Sequence, residues 1–317
     1  MKPPRRIEDM RKKKNLFLEQ QEAKLNKSLY ATQAELYRRI AKQIIARMKS
    51  VGDNIADTSA NYALMATLPK LFREHEPAAQ RTVAGSIFRA TTGIVALNDK
   101  YFSTVLGEQI ADIFADVKSS VVKIINQRLG IEGGNIIAGS FLETLIKNDS
   151  LLLELKQYMA NSITAQVPTK QFMTGVSDIV IGMGDKPGGY EAQFKRFAHD
   201  IYMQYDRAYS FSVATKLKLK YFIYQGGRIE TSRDFCIAHD GKVWSAEEAA
   251  KFGKWTPAQG EYPAGYKIKQ KDVNAVPSYL GYEGYNPLID LGGYNCRHFL
   301  SWISDELAKK MRPELKK

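Results

Sequence analysis

The feature that most constrains the fold of this chain is a stretch from Arg5 to Val51 that contains neither Gly nor Pro. Apolar residues recur within it at steps of four and seven, and they are Leu25, Leu29, Leu36, Ile40, Ile44 and Met48. This spacing places an apolar stripe along one side of an α-helix. Pro3 and Pro4 precede the stretch and Gly52 follows it, as expected at helix ends. The sequence therefore predicts one long N-terminal helix.

Positive charge is concentrated in the same segment. Residues 1–50 carry 14 Lys and Arg against five Asp and Glu, an excess of nine, whereas the whole chain has a net charge of +12. Six basic residues cluster near its start, and they are Arg5, Arg6, Arg11, Lys12, Lys13 and Lys14. Such a cluster suits an anionic partner, through contacts with DNA phosphates or docking on an acidic protein surface. The plain alternative is a solvated helix face.

Helix-breaking residues and changes in hydrophobic periodicity divide the rest of the chain into segments. Pro69, Pro77 and Asn98-Asp99 predict breaks between several shorter helices before residue 165. A further helix is predicted at about 190–216, followed by a strand in the stretch LKLKYFIYQGG, which starts at residue 217. The predicted fold is mainly α, with a small α+β module at the C-terminus. We predict a basic helical arm at 1–50, a helical bundle at 51–165 and the module at 166–317.

Two observations bear on the cellular compartment. No segment approaches the roughly 18–20 apolar residues that span a bilayer, and no apolar stretch follows the basic N-terminus. We therefore expect no membrane partner and no secretory signal. Two cysteines in 317 residues do not form a disulfide scaffold, so a reducing cytoplasm is the expected setting.

The two cysteines lie in short segments that also hold two of the four histidines. Cys236 and His239 belong to DFCIAHDGKVW, and Cys296 and His298 belong to GGYNCRHFLSW. Two thiolates and two imidazoles suit a tetrahedral zinc ion, which makes zinc the candidate cofactor. The Cys-x2-His spacing fits one tight turn, whereas Cys-x-His fits less well, because strand residues two apart are separated by a full pleat.

Three other interpretations of these residues remain open. A Cys-His pair is a candidate nucleophile and base, and Cys236 is a candidate disulfide partner of Cys296. The third is packing: Asp240-Gly241 is a hairpin turn signal, and a buried cysteine behaves as a small apolar residue. The sequence has no nucleophile elbow, P-loop, HExxH or dinucleotide fingerprint. We therefore favour packing, and we predict no catalytic residues and no enzyme.

The C-terminal region resembles the module of phage Mu F-type minor head proteins, in three ordered elements over about 221–302. Thr231, Ser232 and Arg233 match the first element. The second is matched by the stretch from His239 to Trp244, which contains Asp240, Gly241 and Lys242. The third is matched by Asn295, Cys296, Arg297 and His298. The Asp206-Arg207-Ala208-Tyr209 stretch occupies the place of an Arg-Thr-Glu-like helix signature and departs from it.

This resemblance implies a function in head morphogenesis of a tailed bacteriophage. It implies a virion protein present in several copies, associated with the portal or the capsid interior and close to DNA. Assembly would take place in the host cytoplasm. The alternative is a phage-delivered effector or a nuclease-like enzyme that uses the Cys/His cluster.

Overall fold

A computed structural model describes residues 3–107, 111–133, 135–194, 197–226, 230, 232, 234–250, 252, 286–293 and 296–316. Its helices are α1 Arg5–Gln43, α2 Ser59–Met65, α3 Leu68–Leu106, α4 Ala111–Leu129, α5 Phe141–Lys147, α6 Asp149–Thr164, α7 Thr169–Val180, α8 Gly189–Phe194, α9 Ala198–Lys216, α10 Asp234–His239, α11 Ala246–Ala249 and α12 Asp305–Met311. Short 3-10 helices span Ile45–Arg47 and Pro313–Lys316.

The strands are shorter and fewer among the described residues. They are β1 Ser50–Val51, β2 Asn54–Ile55, β3 Ile131–Glu132, β4 Asn135–Ile136, β5 Gly182–Met183, β6 Lys186–Pro187, β7 Tyr221–Gly226, β8 Lys242–Ser245 and β9 His298–Ile303. The first six form two-stranded hairpins, and the last three form one antiparallel sheet in the order β8-β7-β9. The predicted fold class is confirmed: the protein is mainly helical, with a long N-terminal helix and a small α+β module near the C-terminus.

Helix α1 ends earlier than predicted. It stops at Gln43, and the chain continues through the 3-10 turn into a hairpin in which Ser50 pairs with Ile55. Gly52 occupies the hairpin turn with φ +59°, a conformation that favours glycine. The glycine therefore marks a β-turn and not the end of the helix.

Helix α3 continues through two of the predicted breaks, at Pro77 and at Asn98-Asp99, so those two predictions are wrong. The predicted break near Pro69 is present, because α2 ends at Met65 and α3 begins at Leu68. Pro69 lies in its first turn, where a missing N–H leaves no hydrogen bond unmade, and Pro77 is tolerated inside a helix of 39 residues. Asn98 is fully buried, and its amide donates to the Ile94 carbonyl oxygen at 3.0 Å and to Asp206 at 2.7 Å. Asparagine usually favours turns, but the hydrogen bond with Asp206 stabilises Asn98 within the helix.

The chain forms two compact units that are discontinuous in sequence. The sheet unit comprises Met1–Gln20, Arg89–Ile125 and Phe197–Lys317, and the helical unit comprises Gln21–Phe88 and Asn126–Arg196. These units differ from the predicted consecutive segments 1–50, 51–165 and 166–317. The reason is that α1, α3 and α4 each begin in one unit and continue into the other.

The core of the sheet unit forms around the β8-β7-β9 sheet and helix α9. All six residues of β9 are buried, and α9 lies against this strand. The Trp302 ring contacts Phe222 and Phe211, with centroids 5.0 Å and 5.9 Å apart. The Tyr101 hydroxyl of α3 donates to the Trp302 carbonyl oxygen at 2.8 Å. The sheet is thus covered by aromatic side chains from segments distant in sequence.

The helical unit buries the apolar stripe of α1 as the periodicity predicts. Its buried residues include Leu25, Leu29, Leu36 and Ile40 of α1, Val83 of α3, and Leu155, Met159, Phe172 and Val176 of α6 and α7. The buried Asn61 amide donates to the carbonyl oxygens of Lys49 and Ala56, which fastens α2 to the hairpin that follows α1. No helix among the described residues has the length and apolar character of a membrane span.

Candidate metal centre

The sheet brings the two Cys/His segments together. Strand β7 lies between β8 and β9, and its last residue, Gly226, pairs with His298 at the start of β9. Helix α10, which carries Cys236, precedes β8 and is joined to it by the turn at Gly241, where φ is +78°. Because both segments reach the same end of β7, Cys236 lies beside Cys296 although 60 residues separate them.

Three potential ligands lie close together in the interior. The two Sγ atoms of Cys236 and Cys296 are 3.8 Å apart, and Cys296 Sγ is 3.9 Å from Nδ1 of His298. One ligand atom from each of the three residues lies within 4.8 Å of the others. Cys236, Cys296 and His298 are 3%, 2% and 1% exposed. This group of thiols and imidazole could hold a metal ion.

The two sulfurs are not bonded to each other. Neither cysteine is in a disulfide, and the 3.8 Å separation of their Sγ atoms is almost twice the roughly 2.05 Å length of a disulfide bond. The disulfide interpretation therefore does not describe this structure.

Two residues that sequence reasoning missed surround the sulfurs. A Cβ atom at Gly292 would lie 2.6 Å from Cys236 Sγ and 3.2 Å from Cys296 Sγ, so only glycine fits there. The Tyr224 hydroxyl of β7 donates to Cys236 Sγ at 3.5 Å and lies 3.7 Å from Cys296 Sγ. Burial raises the pKa of Tyr224 well above its ordinary value, so the hydroxyl keeps the proton that it donates.

Arg207 of α9 fixes the segment that enters β9. Its guanidinium donates to the carbonyl oxygens of Cys296, His298 and Ile289, at 2.9 Å for His298 and 3.0 Å for Ile289. The pKa of the Cys296 thiol is well below its ordinary value, first because of its hydrogen bond with Cys236 and then because of the positive charge of Arg207. A lowered thiol pKa favours the thiolate, which is the form that binds metals.

His239 does not join the other three predicted ligands. Its Nδ1 donates to the Phe235 carbonyl oxygen at 2.6 Å, and its ring lies among Phe235, Trp244 and Phe252, with centroids 4.1 to 4.7 Å away. Burial lowers the pKa of His239 to about 3, so the ring is neutral at neutral pH. The packing interpretation therefore describes His239, and the described metal-ligand group has three members.

The remaining motif residues have mainly structural positions. Gly241 forms the turn before β8, and Lys242 is the first residue of β8. Oδ1 of Asp240 accepts from the Gly226 N–H at 3.2 Å and lies 3.7 Å from Nε2 of His298. Arg297 precedes β9 and is half-buried. Thr231, Arg233 and Asn295 lie outside the described residues, so their predicted parts in the motif stay predictions.

The basic cluster at the start of α1 divides into exposed and buried members. Arg5, Arg6, Lys12 and Lys13 are exposed. Arg11 is half-buried, pairs with Glu8 and donates to the Gly226 carbonyl oxygen at 3.2 Å.

Lys14 is buried, and its Nζ lies 2.9 Å from Asp206 and 2.7 Å from Asn98 Oδ1. The prediction that all six residues present one contact surface is therefore wrong for Lys14 and Arg11. Their charges are engaged inside the sheet unit.

Comparisons with protein families, with curated proteins and with solved structures found no match to this chain.

Proposed function

We propose that this protein is a minor head protein of a tailed bacteriophage that acts by binding inside the head, near the portal. The observation that supports this most is the convergence of the second and third elements of the Mu F-type resemblance. Asp240 and His298 are more than fifty residues apart in the chain, yet Asp240 Oδ1 lies 3.7 Å from His298 Nε2. An ordered motif that forms one structural centre is better explained by a shared module than by chance similarity of short segments.

Burial of the Cys/His group favours a binding role over the alternative of a phage-delivered effector or nuclease-like enzyme. A catalytic metal keeps one coordination position open to substrate. Here the three candidate ligands are at most 3% exposed, and both Tyr224 and Gly292 lie close to the two sulfurs. This arrangement suits a structural centre that holds two segments together.

Zinc is the metal that we assign to this centre. Cys thiolates with a His nitrogen are typical zinc ligands, and thiolates select against magnesium and calcium. The donor set fits, because Cys236, Cys296 and His298 supply two sulfurs and one nitrogen within 4.8 Å of each other. Bound zinc would supply a link between α10 and the start of β9.

The four exposed basic residues of α1 are the proposed contacts with DNA. We expect the protein to bind duplex DNA of random sequence, with an affinity that falls steeply between 50 and 200 mM salt, as for binding that rests on about four or more phosphate contacts. Changing Arg5, Arg6, Lys12 and Lys13 to Gln should weaken binding at least tenfold at low salt. It should also reduce the magnitude of the salt slope by up to about 3.6, since each of the four lost contacts removes about 0.9. Fluorescence anisotropy of labelled DNA measures both quantities.

The matched control replaces four other exposed lysines of the sheet unit with Gln: Lys216, Lys220, Lys309 and Lys310. Both variants lower the net charge by four, so a local surface and a diffuse charge effect are distinguished. Equal weakening in the two variants contradicts the proposed surface. If the unaltered protein does not bind DNA, the proposed DNA contact is wrong. The proposed role of the exposed basic residues of α1 is then docking on an acidic portal surface.

Location in the particle tests the proposal as a whole. We expect mass spectrometry of purified virions and proheads from producing cells to find this protein in several copies per particle, together with the portal protein. Its absence from both kinds of particle would rule out the proposed function.

A further inference from the structure

The two ring nitrogens of His298 face chemically different partners. Nδ1 lies 3.9 Å from Cys296 Sγ, on the side of the metal-ligand group. Nε2 lies 3.7 Å from Oδ1 of Asp240 and has no hydrogen-bond partner among the described residues. That separation is within the range of an ion pair but longer than a hydrogen bond. One side of the imidazole therefore faces the sulfurs, and the other faces a carboxylate.

The position of Asp240 is fixed by the two segments that form the centre. Its backbone N–H donates to the carbonyl oxygen of Cys236 at 3.0 Å, so it belongs to the same turn as one sulfur ligand. Its carboxylate accepts from the N–H of Gly226, the residue that pairs with His298 across the sheet. Asp240 thereby contacts both the segment of Cys236 and the strand neighbour of His298.

The His298 ring also has little freedom to rotate. The Tyr224 ring stacks on it with centroids 4.8 Å apart and an interplanar angle of 30°. On another side, a Cβ at Gly226 would lie 2.8 Å from Cδ2 of His298, so the glycine backbone is in close approach. The ring orientation, with Nδ1 toward sulfur, is therefore set by its neighbours.

We infer that Asp240 is a positioning residue of the metal centre, whose carboxylate holds His298 in the tautomer that presents the Nδ1 lone pair to the metal. A neutral histidine that donates Nδ1 to a metal carries its proton on Nε2, and a carboxylate facing Nε2 stabilises that form. This inference rests on the proposed zinc centre. It gives the Asp of the Asp-Gly-Lys element and the His of the Cys-Arg-His element one shared role.

Zinc affinity of the full chain tests the inference. In Asp240→Asn the amide oxygen can still accept from Gly226, but the negative charge is gone. We expect its zinc affinity, measured by competition with a chromogenic chelator, to fall by about 10–100-fold. Asp99→Asn is the control, because Asp99 is another carboxylate of the sheet unit and accepts from Tyr209 at 2.6 Å. Its affinity should stay unchanged, and Asp240→Glu, which keeps the charge, should lose less than Asp240→Asn.

The tautomer of His298 is a second measurement, and it would not change if Asp240 had only a structural role. Long-range nitrogen-15 NMR of the metal-free chain should show His298 with its proton on Nε2, and Asp240→Asn should increase the Nδ1–H form. A wild-type ring with the proton mainly on Nδ1 overturns the inference without any variant, so it stays testable even if Asp240→Asn does not fold.

The two proposals fail in different ways. If the unaltered protein binds no zinc, or if Cys296→Ser leaves zinc binding unchanged, the zinc centre itself is wrong. If Cys296→Ser abolishes binding while Asp240→Asn binds as tightly as the unaltered protein, the centre stands and the role of Asp240 is overturned. Equal losses in Asp240→Asn and Asp240→Glu also overturn it, because the charge would then be irrelevant.

Discussion

Replacement of Arg207 by Met is expected to lower the free energy of unfolding of the sheet unit by about 3–5 kcal/mol. Arg207 is 1% exposed, and its guanidinium donates to three carbonyl oxygens, those of Cys296, His298 and Ile289. Methionine fills much of the same volume but donates nothing, and each buried acceptor left without a partner costs about 1–3 kcal/mol. The loss of stability should be large because the Arg207 side chain alone donates to all three carbonyl oxygens.

Two further variants make the Arg207 experiment specific. Arg207→Lys keeps the charge, but a single ammonium cannot reproduce the planar arrangement of donors, so we expect an intermediate loss. Arg6→Met changes an exposed arginine of the same unit and should stay within about 0.5 kcal/mol of the unaltered protein. Urea unfolding followed by tryptophan fluorescence suits this test, because Trp244 and Trp302 are both buried in the sheet unit. An Arg207→Met loss as small as that of Arg6→Met would contradict the assigned role.

Replacement of Lys14 by Met is expected to cost a similar amount, about 3–5 kcal/mol. The Lys14 ammonium lies 2.9 Å from Asp206, whose side chain is 2% exposed, so the variant leaves a buried carboxylate without its counter-ion. Asp206→Asn should cost less than Lys14→Met. In Asp206→Asn the Lys14 ammonium still donates a hydrogen bond to Asn98 Oδ1. It also lies over the Tyr101 and Phe299 rings, 5.6 Å and 5.5 Å from their centroids, and these contacts stabilise its charge.

A double-mutant cycle isolates the Lys14–Asp206 interaction. The combined Lys14→Met and Asp206→Asn variant buries no unpaired charge, so its loss should be smaller than the sum of the two single losses by about 1–3 kcal/mol. The same urea unfolding measures all three variants. Additive losses would mean that the two residues do not depend on each other and that the pair does not anchor α1 in the sheet unit.

Periodicity predicted most of the helical structure, and its failures have local causes. The apolar steps of α1 predict its buried stripe correctly, whereas the prediction of a helix end at Gly52 is wrong, because Gly52 lies in a hairpin turn. Lys14 falls in the same stripe, between Met10 and Leu18, so its burial was indicated by its spacing. The positive charge of Lys14 predicts an exposed contact with DNA or the portal, and this prediction is wrong because Asp206 and Asn98 supply buried partners for the ammonium.

The candidate metal centre was predictable only in part. The spacing of Cys236, Cys296 and His298 indicated a shared site, but it could not separate His239, whose Nδ1 is taken by the Phe235 carbonyl oxygen. Tyr224 and Arg207 come from other elements of the fold, β7 and α9. Their contribution depends on the register of β7 and β9 and on the placement of α9, which no local pattern specifies.

The discontinuous sheet unit also has a consequence for biosynthesis. Its first segment, Met1–Gln20, emerges from the ribosome long before β9, the strand that begins at His298. At roughly 5–20 residues per second, the start of α1 waits about 15–60 s for the rest of its unit. During that interval Ile7, Met10 and Leu18 have no completed core to enter, and Lys14 lacks Asp206. The nascent chain thus exposes a basic segment with apolar side chains to chaperones and nucleic acids until the folded unit buries Ile7, Met10 and Leu18.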